Sequence, residues 1–309
     1  MSRSPRLIAV GGGKGGVGKS LVTANLAVAL ADEGHRVVAV DTDLPGANLH
    51  TCLGVRPPRA SLAHFVAGRE TDLAKLVVDT PVENLRLIGA TGGHPGFARL
   101  RPSRRAELSE ALRKLPCDYA LLDVAAGTHP EVIDAFLVGD ACILVCTPEP
   151  TSVENIYSFL RAALFRRVRA SVLSEEVCER IDLALDPLNE RGIRTPLDLQ
   201  REIAALDAAD AERFADAVAR FRPALIVNQV RSVDDIKLGF QLASVCRKYF
   251  GLEAEYLGYV NHDDAVRQAT LARCPVVKAF PDSDAAIYLR RIAGKLLGSR
   301  DERRRGARA

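Results

Sequence analysis

The chain has 309 residues, 48% of them hydrophobic and 26% charged, with a formal net charge of +3. Those proportions describe a globular protein with room for a large core, and no apolar run approaches the ~20 residues of a membrane-spanning helix. The opening MSRSPRLIAV lacks the architecture of a secretory signal, so a cytoplasmic location is expected.

The seven cysteines (52, 117, 142, 146, 178, 246 and 274) form no CxxC pair, and most stand in apolar surroundings such as ACILVC. They read as reduced buried thiols, not as metal ligands or a disulfide frame. The excess charge is local. The closing SRDERRRGARA holds five arginines against one Asp and one Glu, so the body of the chain is close to neutral and offers little electrostatic attraction to nucleic acid.

In chain order, an apolar run (Leu7, Ile8, Ala9, Val10) leads into GGGKGGVGKS, Gly11 to Ser20, and an amphipathic stretch from Leu21 to Ala31 follows. Strand, tight loop and helix are the setting of a phosphate-binding loop: glycines let successive N–H groups turn toward one anion, and the helix adds the positive end of its dipole. The spacing assigns nucleotide contacts to Gly13, Gly15, Gly16, Val17, Gly18, Lys19, Ser20 and Leu21. Lys19 reaches the outer phosphates and the Ser20 hydroxyl is placed to hold Mg²⁺. A second lysine, Lys14, lies inside the loop. This KGGVGKS form resembles the deviant phosphate loop of the MinD/ParA group of ATPases. In that family the early lysine crosses to the nucleotide of a second subunit when two monomers sandwich two ATP molecules. The resemblance thus implies an ATP-bound homodimer with Lys14 acting in trans; the plainer alternative is a loop cation that stays within its own subunit.

RVVAVDTD, Arg36 to Asp43, is the next buried strand and ends in carboxylates. By the resemblance Asp43 orients the attacking water and Asp41 supports Mg²⁺, although either residue could merely cap a strand end. Short helical pieces (Ser61–Ala67 and Thr71–Leu76) are interrupted by Pro57, Pro58 and Pro81, and LRLIGA, Leu85 to Ala90, is a third strand leading into the loop TGGHPGF. Arg104 to Leu115 is amphipathic, with Ser103 as its expected N-cap.

DYALLDVAAG, Asp118 to Gly127, is an apolar strand ending in Asp and then Gly; it resembles the family's DxxAG, which implies Asp123 as a magnesium carboxylate and Gly127 as the hinge of a γ-phosphate-sensing loop. Ala141 to Thr147 is a further strand, followed by TPEPTSV and a helix to about Phe165 with Thr151 or Ser152 as its cap. In the family this segment lies at the dimer face; read alone, it is a proline-rich turn.

The interval from residue 166 to 222 is longer than the family pattern, and its apolar periodicity predicts three helices that must pack as a lid or as a partner surface. PALIVNQV restores the core, and Asn228 matches a family position that reads the adenine edge. NHDDAV resembles the family's loop beside the base, with Asn261 and His262 in place of the usual Pro and Glu. The final helix, Ser283 to Leu297, is followed by a basic tail without large apolar side chains. Such a tail is expected to be disordered and at most weakly attracted to anionic lipid or DNA.

The alternating pattern calls for an α/β fold with a doubly wound, mostly parallel sheet and its ligand at the C-terminal strand ends. The expected organisation is one P-loop ATPase domain over residues 1–297, a helical insertion at 166–222 and a tail at 298–309. The resemblance, nearest to the MinD and flagellar-placement branches, implies a slow, partner-stimulated switch ATPase that binds ATP or ADP with Mg²⁺. It would position a cellular assembly at the division site, the flagellum or another polar machine. A DNA-partitioning ATPase and an ATP-driven metabolic enzyme on the same scaffold are the alternatives, the first disfavoured by the neutral body.

Overall fold

A computed structural model describes residues 4–90, 102–185, 192–193 and 195–306. The strands are β1 (Arg6–Gly12), β2 (Val37–Asp41), β3 (Val78–Asp79), β4 (Leu85–Ile88), β5 (Tyr119–Ala126), β6 (Ala141–Cys146), β7 (Ala224–Val230) and β8 (Glu255–Asn261). The helices are α1 (Lys19–Asp32), α2 (Leu49–Cys52), α3 (Leu62–Val66), α4 (Pro102–Arg113), α5 (Pro130–Leu137), α6 (Pro150–Arg169), α7 (Glu175–Leu185), α8 (Pro196–Leu206), α9 (Ala208–Ala219), α10 (Val233–Val245), α11 (Asp264–Leu271), α12 (Val276–Ala279) and α13 (Asp284–Gly306).

The eight strands form one sheet in the order β3-β4-β2-β5-β1-β6-β7-β8, parallel throughout except for β3 against β4. Parallel strands linked by helical crossovers are covered on both faces, which is why β1, β2 and β6 read as unbroken apolar runs. One core lies between the sheet and α4, α5, α6, the inserted helices and α10; the other lies between the sheet and α1, α2 and α11–α13. Among the described residues no helix is long and apolar enough to cross a membrane.

Local chemistry explains where the helices begin. α8 starts with a capping box, in which the Thr195 side chain accepts from Asp198 N–H while Asp198 receives the Thr195 N–H. α6 starts at Pro150, two or three residues earlier than expected: a proline at N1 presets φ and forfeits no helical hydrogen bond, so Thr151 and Ser152 lie inside the first turn and Glu149 is the N-cap. Ser152 turns back instead, its hydroxyl accepting from Thr147 N–H at 3.0 Å.

Other expectations need correcting. α4 begins at Pro102, so Ser103 stands within the helix instead of capping it. α10 ends at Val245 and the chain continues as a π-helical turn, Cys246–Phe250. α13 runs on to Gly306, where a disordered tail was expected from residue 298. The glycine-rich loop at 91–97 lies outside the described residues. β3 and α5 had no counterpart in the sequence reading.

Candidate functional site

The C-terminal ends of β1, β2 and β5 converge because of sheet register. Val10 and Asp41 both pair with Asp123 on β5, so the phosphate loop, Asp41 and Asp123 emerge side by side. The loop bends through left-handed backbone at Gly16 (φ 82°) and Gly18 (φ 94°), and at Gly18 a Cβ would also overlap the Asn228 amide. Only glycine adopts that conformation without strain. Gly13 is required for a different reason: a Cβ there would collide with the backbone carbonyl of Asn155 on α6.

Lys19 is buried, and its ammonium donates to the Lys14 carbonyl at 3.2 Å across the loop. Burial lowers its pKa, while Asp123 and Asp43 act in the opposite sense. The Ser20 hydroxyl hydrogen-bonds to Asp123. Asp41 accepts backbone N–H groups from Asp43 at 3.0 Å and from Leu49 at 3.2 Å. Burial, reinforced by neighbouring Asp123, nevertheless pushes its carboxyl up to about 8, and burial pushes Asp123 to about 6. Two buried carboxylates facing one another with a serine hydroxyl beside them are a donor set that a divalent cation would satisfy. Ser20, Asp41 and Asp123 therefore fit Mg²⁺.

Asp43 lies at the open side of this group, one carboxylate oxygen accepting from Gly46 N–H at 2.9 Å. Gly127, just beyond β5, has φ 102°, a conformation suited to the hinge expected there.

Lys14 points away from its own loop. Its ammonium donates to Glu149 Oε2 at 3.3 Å and to Thr151 Oγ1 at 3.2 Å, and its side chain is 42% exposed. An ion pair this open to water is worth about 0–1 kcal/mol, so the lysine is parked but not locked.

Asn228 and Asn261 both have partners within the protein. Asn228 is buried, and its side-chain nitrogen donates to Val17 O at 2.8 Å, which braces the loop from β7. Its amide nitrogen is thus committed to the protein in this state. Asn261 sits at the end of β8 with its amide 3.5 Å from Asp284 Oδ2.

Sequence reasoning missed three contributors. Thr23 bonds to Lys19 O at 2.9 Å and to Asp123 Oδ1 at 3.4 Å. Thr42 donates to the Asp123 carbonyl at 2.7 Å. Thr23 ties the carboxylate strand to the loop helix, and Thr42 ties it to the end of β2. Thr23 follows Ser20 by three residues, the helical spacing that puts both on one face, and that was the available signal. The third, Asn155, acts on Gly13 through its backbone, which leaves no mark in side-chain chemistry.

A glycine cradle at a helix N-terminus, a buried lysine and a paired carboxylate set at the C-terminal edge of a parallel sheet define a P-loop nucleotide-binding protein. Residues 8–276 match the CobQ/CobB/MinD/ParA nucleotide binding domain, and the chain belongs to that family. It is 28% identical over 294 residues to the antiactivator FleN of Pseudomonas aeruginosa, spanning 94% of this chain and 86% of that protein. It is 30% identical over 233 residues to the septum site-determining protein MinD of Synechocystis, spanning 75% of this chain and 71% of that protein. Among solved structures, MinD of Pyrococcus horikoshii in complex with Mg-ADP superposes with a TM-score of 0.65 at 25% identity, covering 94% of this chain and 96% of that one.

Proposed function

We propose that this chain is a nucleotide-operated switch: it binds ATP with Mg²⁺, pairs with a second copy while ATP is bound, and separates after slow hydrolysis. The observation that carries this reading is the placement of Lys14, which turns out of its own loop onto two weak, solvent-exposed partners. A lysine serving only its own phosphates would be expected to point into the cradle, as Lys19 does.

The roles follow from position. The loop N–H groups from Gly13 to Leu21 and the Lys19 ammonium hold the phosphates. Ser20, Asp41 and Asp123 would hold Mg²⁺, which supplies charge neutralisation at the β- and γ-phosphates. Asp43 orients the attacking water, its carboxylate fixed by the Gly46 N–H. Lys14 leaves Glu149 and Thr151 to meet the γ-phosphate held by the second copy, which makes pairing depend on the intact triphosphate. Asn228 and Asn261 lie on the side of the loop expected to receive the base.

The relatives named above act as an antiactivator and in siting the septum. They support a role in placing or regulating a cellular assembly through a protein partner. Size-exclusion chromatography with Mg-ATP tests the switch. Asp43→Ala should form a stable dimer and Lys14→Ala should remain monomeric; identical elution of wild type and both variants as monomers would refute it.

A further inference from the structure

The sequence left open whether the inserted helices form a lid or a partner surface, and where they pack is informative. α7, α8 and α9 join the core on the α6 side of the sheet, and their attachment is to the second half of α6 and the π-helical turn beyond α10. The Arg161 guanidinium donates to the Ala184 carbonyl in the last turn of α7. Arg167 donates through Nε to Ala217 O in the last turn of α9, at 3.2 Å, and lies over the Phe221 ring at 5.7 Å. Arg169 pairs with Asp182 of α7 at 2.9 Å. Two of the inserted helices therefore end on arginines of α6, where a cation meets the negative end of each helix dipole. Among the described residues the buried Arg161 Nε has no hydrogen-bond partner.

The other end of the same helix touches the nucleotide loop. Asn155 presses its carbonyl on Gly13, and Glu149 with Thr151 receives the Lys14 ammonium. Between the two ends α6 spans 20 residues with proline only at its first position and no glycine. That is about 30 Å of continuous helix. Ile156, Phe159, Leu160, Ala163, Leu164 and Val168 are sealed in the core along its length. A helix with no hinge residue and a fully packed face moves as one body.

We propose that α6 is a coupling rod between the phosphate loop and the inserted helices: when Lys14 crosses to the second copy, the loop that carries it moves Gly13 relative to the Asn155 carbonyl packed against it, which shifts α6 and thereby alters the packing of α7–α9. Coupling is reciprocal, so a protein gripping α7–α9 biases Lys14 toward or away from its own subunit and thus sets the readiness of the chain to pair. The insertion is then the regulatory input or output of the switch instead of a cover for the nucleotide. This inference rests on the crossing of Lys14 proposed above.

Hydrogen–deuterium exchange tests it on the full chain with and without a Mg-bound non-hydrolysable ATP analogue, with size-exclusion run in parallel. In wild type, peptides covering 196–219 should change exchange rate at least twofold on nucleotide addition, together with protection of the phosphate loop. Lys14→Ala should keep loop protection and lose the response of the insertion. Arg167→Ala, which weakens the far joint, should keep both dimerisation and loop protection while its insertion response falls; if that variant loosens the insertion even without nucleotide, the Lys14→Ala result decides. An insertion that exchanges identically with and without analogue, in a wild-type sample whose loop is protected and whose dimer is visible on the column, would overturn the rod. Failure of the dimer to appear is read separately on the column and counts against the switch itself.

Discussion

The phosphate-loop edge of the sheet and the inserted helices are built by different rules. At the loop edge, polar groups are buried deliberately: Lys19, Thr23, Asp41, Thr42, Asp123 and Asn228 all lie below the surface, held by backbone geometry that tolerates only glycine at key points. In the insertion, buried positions are apolar, as with Val177, Ile181, Leu199, Ile203 and Phe214, and Asp210 is the buried charge among the described residues there. Asp210 is satisfied by the N–H groups of Leu173 and Ser174 and by Arg213. The first region stores unfavourable electrostatics that a ligand relieves. The second stores only packing, so its perturbation should cost stability and reach the nucleotide only through the readiness of the chain to pair.

The largest expected effect sharpens that division. Phe214→Ala empties a fully buried site at the heart of the insertion and should cost about 3–5 kcal/mol of stability, with ATP affinity near wild type wherever the protein remains folded. Denaturant unfolding and nucleotide titration of the same sample check it, and a parallel loss of affinity would break the separation. Lys19→Ala should do the reverse. ATP binding should weaken about 10- to 100-fold through loss of charge-assisted hydrogen bonds, while thermal stability of the nucleotide-free protein holds or rises because a desolvated ammonium is removed.

Gly13→Ala probes the seam between the regions. Its new methyl meets the Asn155 carbonyl, so a cost of about 1–3 kcal/mol is expected, accompanied by weaker nucleotide binding because the loop must shift. An unchanged melting curve would mean that α6 yields freely. The smallest effect is a pH dependence. Burial raises the paired Asp41 and Asp123 carboxyls to about 8 and about 6, above their ordinary value of 3.8. Their contribution to metal-free stability is therefore complete below that ordinary value and is lost as pH rises through about 6 and then about 8. Thermal midpoints between pH 6 and 8.5 should fall more in wild type than in Asp41→Asn, and Mg-ATP should erase the difference. Equal slopes for the two proteins would remove Asp41 from the account.

The two regions also differ in how legible they were. The loop was legible from its glycine spacing between strand and helix, whereas Asp41, Asp43 and Asp123 were singled out by the resemblance of their motifs, and the sheet register brings Asp41 and Asp123 beside the loop strand. The inserted helices were visible as apolar stripes, but periodicity states only that a face is buried and not against what. The docking on α6 depends on guanidinium groups reaching helix-end carbonyls far away in the chain, which no local pattern encodes. Likewise Asn228 could be placed at its strand end, whereas its bond to Val17 joins residues more than 200 positions apart. The short α5 was missed because eight residues between two strong strands give little periodicity. The continuation of α13 was missed because a run of arginines reads as solvated chain, although arginine itself is a good helix former.

The central claim is that Lys14 works on the nucleotide of a second copy, and subunit mixing tests it most directly. Lys14→Ala retains Asp43 but offers no crossing lysine, and Asp43→Ala retains the lysine but cannot orient water. Each alone should be inactive as an ATPase. Mixed together, the Asp43→Ala subunit donates its Lys14 to the site of the Lys14→Ala subunit, and phosphate release should recover. If the lysine serves its own subunit, no mixed pair contains a complete site, and the mixture will stay as inactive as its parts.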